Sequence, residues 1–174
     1  MLLQDKTVKT VTLCGIFSAL SIIFSTFESF LPIQALIPLP GIKLGIANIV
    51  ILYVLFYAGT KESVFVLLCK CIVTALIFGS VSSFLFSICG GILSLLSAVI
   101  IKNKWCDKLS FVGVSVIGAA LHNTGQILVS CLMLGTFKTL YYLPALLFAS
   151  IVCGVITGTV LCLLPDLTKY KGKK

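Results

Sequence analysis

The chain has 174 residues, 59% of them hydrophobic and only 10% charged, with a formal net charge of +8. A soluble protein of this length needs a charged surface that such a composition cannot supply, so the chain reads as an integral membrane protein. Its basic balance comes from lysine alone and falls in short breaks between apolar runs; orientation in an anionic membrane accounts for it better than nucleic-acid binding.

Residues 1–10, with Lys6 and Lys9, form a basic lead-in to the apolar run Val11 to Leu31. That run is long for a signal-peptide core and lacks a small-residue cleavage site, so it is expected to stay in the protein as a helix. Gly15 and Ala19 make a small-residue ridge on it, suited to close contact either inside the chain or with another subunit. Glu28 lies near its far end. The stretch 31–43 holds three prolines and a glycine among aliphatic residues. It cannot be helical, yet it is too apolar to float in water, and is expected to fold over the helix ends as a lid.

A short second helix carries Asn48, and the third has Lys70 at its middle. An unpaired intramembrane lysine costs roughly 2.5 to 3.5 kcal/mol, so Lys70 calls for a carboxylate, a polar cavity or an anionic ligand. The fourth helix contains Gly90 and Gly91, and the polar break 102–108 follows it. The sixth contains the close-packing pair Gly154 and Gly158. The expectation is one all-α integral membrane domain over 1–174, with six transmembrane helices at about 11–30, 44–57, 63–78, 84–101, 109–134 and 143–164.

The fifth segment is the most informative. In Gly118-Ala-Ala-Leu-His-Asn-Thr-Gly-Gln-Ile-Leu128, His122 and Gln126 stand one helical turn apart, and Asn123 three residues before Gln126 shares their side. Polar side chains at that depth face a bundle interior or a cavity, because lipid offers no hydrogen-bond partner. With six helices, Lys6, Lys9, Lys61, Lys102, Lys104, Lys108 and the tail lysines fall on one side and only Lys43 and Lys138 on the other. The positive-inside rule then puts both termini in the cytosol of a bacterial plasma membrane. Lys70 and His122 come near the midplane, and Gln126, Asn48, Glu28 and Lys43 lie further out, which describes a pocket open to the outside. Each residue also has a structural reading. Lys70 could pair with Glu28, and His122, Asn123 and Gln126 could stitch helices. Tyr141 and Tyr142 suit interfacial anchors at the pocket mouth.

Catalytic patterns are poor. The five acidic residues form no paired magnesium motif, the lone histidine has no apposed nucleophile, and no phosphate-binding Gly-rich loop is present. No cofactor or metal site is expected. Seven of the eight cysteines lie in apolar runs and read as reduced, small hydrophobes. Cys69 and Cys71 point about 200 degrees apart on a helix, which argues against a shared metal.

Three stretches, Pro40-Gly-Ile-Lys-Leu-Gly-Ile-Ala-Asn48, Gly90-Gly91 and Gly118 to Gln126, resemble the family of heptaprenyl diphosphate synthase component I, also called the Gx transporter family. That family is similar to the S components of energy-coupling factor (ECF) importers, six-helix proteins that capture vitamins or their precursors outside the cell. By their depth and chemistry Lys70, His122, Asn123, Gln126, Asn48, Lys43 and Glu28 are the expected substrate contacts, and the resemblance implies closure of the pocket by the 31–43 loop. It also implies that the Gly15 and Ala19 ridge meets a coupling membrane subunit driven by two cytosolic ATPases. Two other readings stand beside it: a noncatalytic membrane component of a prenyl diphosphate synthase, partnered by a soluble prenyl transferase, and a solitary secondary transporter.

Overall fold

The computed structural model describes residues 2–30, 43–78, 81–105 and 108–164, the side chains from residue 8 onward. The expected lid at 31–43 therefore lies outside the described residues, apart from Lys43. The chain is all helical: α1 Leu2–Phe30, α2 Asn48–Tyr57, α3 Thr60–Phe78, α4 Val81–Lys104, α5 Phe111–Leu134 and α6 Leu143–Leu163, with a 3-10 helix at Phe137–Tyr142.

Among the described residues there are six α-helices, of which four are long and apolar enough to cross a membrane: α1 from Val8, α4, α5, and the run Phe137–Leu163 that ends in α6. This corrects the expectation of six transmembrane helices. At ten residues, α2 covers about 15 Å at 1.5 Å per residue, half of a hydrocarbon core. The nineteen residues of α3 include Lys61, Glu62 and Lys70, too many charges for an apolar span. The sequence misleads at α2 because a helix that is apolar all round is equally suited to protein and to lipid. Here it is wrapped by protein. Val50, Ile51, Leu52, Val54, Leu55 and Phe56 are all buried, packed against α1, α3 and α4.

The start of α2 is set by Gly45, whose φ of 90° is a left-handed conformation that a side chain resists. Asn48 is consequently the first residue of α2 rather than one turn in. At α5, Ser110 caps the N-terminus by accepting from the Gly113 amide at 3.2 Å, and Gly135 ends the helix in the left-handed region with φ 60°.

The centre of the molecule is α5, which packs most extensively on α4 and α6. In its most apolar stretch 56% is buried, against 22% for α1 at the periphery. Small residues let these axes approach. A Cβ on Gly154 would sit 2.5 Å from the Val116 Cα, and one on Gly125 would sit 3.0 Å from the Gly90 Cα. The Gly15 and Ala19 ridge is different: both residues are exposed on α1, and a Cβ on Gly15 would meet nothing within 4 Å.

Candidate functional site

On α1 the residues turned inward are Cys14, Ser18, Ser21, Ser25 and Glu28. Their alternating spacing of four and three makes one stripe along the helix, and every member is small or polar. Such a stripe cannot be an apolar packing seam. Along most of its length the stripe packs on α3, and its outer end, Ser25 and Glu28, borders a polar interior formed with α3, α5 and the segment entering α2.

The segment entering α2 is fastened to that interior on two sides. From α5, the Gln126 side chain accepts from the Lys43 backbone N–H at 2.9 Å and donates to the Lys43 carbonyl at 2.8 Å. From α1, Glu28 Oε1 accepts from the backbone N–H of Gly45 and from that of Ile46, the latter at 3.2 Å. The Lys43 ammonium donates to Ser25 Oγ at 3.0 Å and lies 5.6 Å from the Phe78 ring centroid. Burial, and after it the Lys70 ammonium, pushes the Lys43 side chain down to about 8, against a smaller opposing pull from Glu28.

Lys70, on α3, is buried. Both it and Lys43 act through space on the Glu28 carboxylate, Lys70 the more strongly, yet among the described residues its ammonium has no hydrogen bond or ion pair within 4 Å. Near it are further polar atoms without partners: both amide atoms of Asn48, Thr74 Oγ1 and His122 Nδ1. Asn48 and His122 converge on Gly45, where a Cβ would lie 3.1 Å from Asn48 Nδ2 and 3.1 Å from His122 Cδ2. Gly90 makes room for the histidine, since a Cβ there would fall 2.8 Å from Nδ1. Buried polar atoms of this kind are normally paired, so several together mark a place where water or a ligand belongs.

Glu28, Lys43, Asn48, Lys70, His122 and Gln126 thus come into one buried region. Within it Glu28, Lys43 and Gln126 are occupied in holding the entry to α2, while Asn48, Lys70 and His122 keep free polar atoms. Asn123 is turned away, its Nδ2 donating to Ser150 Oγ at 2.8 Å and to the Leu146 carbonyl at 3.2 Å, and so ties α5 to α6. Tyr141 is exposed, and Tyr142 packs on Ile127, Cys131 and Leu146, apart from the polar region.

Sequence reasoning missed Ser25 and Thr74 as members. The signal for Ser25 was its place on one helical face with Ser18, Ser21 and Glu28, and for Thr74 its place one turn beyond Lys70. Among the described residues no three His, Cys, Asp or Glu side chains gather to hold a metal ion.

A profile of heptaprenyl diphosphate synthase component I matches residues 17–164. The chain belongs to that family. The match takes in Ser25, Glu28, the segment entering α2, and the parts of α3, α4 and α5 that close the polar region. No curated protein and no solved structure matches the chain. The helices described above make this family member a multi-span α-helical membrane protein.

Proposed function

We propose that the protein is a noncatalytic membrane subunit that binds a small anionic metabolite of isoprenoid or quinone chemistry, alongside a separate prenyl transferase that carries out synthesis. The observation behind this reading is Lys70: a buried cation with no hydrogen bond or ion pair within 4 Å among the described residues, in the same buried region as the unpaired atoms of Asn48, Thr74 and His122. An intramembrane ammonium is retained only where something compensates it, and an anionic ligand does so. Membership of the family supports the link to prenyl diphosphate synthesis.

The protein sits in a bacterial plasma membrane with both termini in the cytosol. Four crossings return the chain to its starting side as six would, and Lys102, Lys104, Lys108 and the tail lysines keep the bias to that side.

One observation favours a second reading, capture of the metabolite for an ECF-type importer. Gly15 and Ala19 stand exposed on the least buried span, which leaves them free for a coupling membrane subunit served by two ATPases. Mass spectrometry of the protein purified from its own membranes in mild detergent separates the two. A retained anionic metabolite with a soluble prenyl transferase supports the first reading. A coupling subunit with ATPases in the same preparation overturns it in favour of the second.

A further inference from the structure

We infer that the polar end of the ligand carries a single negative charge, as a carboxylate does, and that the site rejects a diphosphate. The inference rests on the anion-binding reading above and narrows it to a ligand class. The buried charged side chains among the described residues are Glu28, Lys43 and Lys70. Glu28 acts as an acceptor for two backbone N–H groups, the arrangement that suits a carboxylate, so the three together leave one positive charge to be matched.

Among the described residues no other buried side chain adds positive charge. The chain contains no arginine, and residues 31–42, which join α1 to Lys43, include no charged side chain. Lys61 is exposed in the first turn of α3. The donors also suit a small head. Lys70 can take one carboxylate oxygen, and Thr74 Oγ1, one helical turn beyond it and unpartnered, can take the other, with the unpartnered Asn48 Nδ2 in the same buried region. A diphosphate carries about three negative charges, and the excess would be buried without compensation in a medium where that is very costly.

The test uses the full chain in lipid nanodiscs and two probes with one hydrocarbon chain and different heads, farnesoate and farnesyl diphosphate, titrated in metal-free buffer and again with magnesium. Farnesoate should bind at least tenfold more tightly in both buffers, and Lys70→Gln should weaken it at least tenfold while the melting temperature does not fall. Glu28→Gln keeps an amide oxygen for the Gly45 and Ile46 N–H groups and raises the site charge by one. It should narrow the preference for farnesoate by at least threefold. Equal or tighter binding of the diphosphate, abolished by Lys70→Gln, overturns this inference and leaves the anion-binding function standing. Binding of neither probe, or binding indifferent to Lys70→Gln, overturns both.

Discussion

Lys70 is the residue whose cost is least explained by the fold. It is buried, unpaired among the described side chains and central on its helix. Lys70→Met removes the charge and fills similar volume, so the empty protein should gain about 1 to 3 kcal/mol of stability while anion binding falls at least tenfold. A thermal melt and a titration on the same preparation decide it, and a lower melting temperature would show instead that Lys70 is structural. Lys43 makes a prediction in pH. Its folded-state ammonium lets go of its proton at about 8, well below the ordinary lysine range, with Glu28, Lys70 and Cys71 as the groups acting on it. Between those two values the unfolded chain keeps a proton that the folded chain has released, so this group makes stability rise as pH increases from about 8 toward 10. Melting temperatures of wild type and Lys43→Met across that window should diverge, the wild type climbing relative to the variant. Parallel curves would remove Lys43 as the cause.

At the scale of the element, the segment from Lys43 to Ile46 is a short piece of irregular backbone inside a helical protein. The Gly45 and Ile46 carbonyls accept from the Asn48 and Ile49 amides at the start of α2, but the Lys43 N–H and carbonyl and the Gly45 and Ile46 amides must be paired by side chains. Gln126 and Glu28 do this from α5 and α1. Gln126→Ala deletes two hydrogen bonds and leaves a buried N–H and C=O unmatched, which should cost about 1 to 3 kcal/mol. Hydrogen exchange should quicken at the Lys43 amide while the interior of α5 stays protected. Uniform acceleration along the chain would mean that the glutamine supports the whole bundle. This anchoring explains why Gln126 and Glu28 were legible as important polar residues in the sequence but not in their roles. Spacing places a side chain on a face, and only the path of another segment decides what it meets there.

For the whole molecule, α1 is the outlier. One face bears the buried polar stripe and the other exposes Gly15 and Ala19 between Val11, Ile16, Leu20 and Ile23. A Cβ on Gly15 meets nothing in the chain and leucine is the better helix former, so Gly15→Leu should leave folding stability unchanged or raise it by up to about 1 kcal/mol. If that face holds a membrane partner, co-purification of the partner should be lost, whereas an unchanged complex with equal yield would clear the ridge of that role. The membrane class, the helical content, the polar break at 102–108 and the polar character of α5 followed from the sequence alone, because composition and local backbone preference decide them. The number of spans did not follow, since α2 is as apolar as a span and is shown to be interior only by the helices around it. The division of polar residues between fastening and an open site was likewise decided by tertiary structure. Asn123 and His122 are neighbours in sequence, but the helix turns them about 100 degrees apart. One finds Ser150 on α6, and the other faces Gly45 and Gly90 with a nitrogen unmatched.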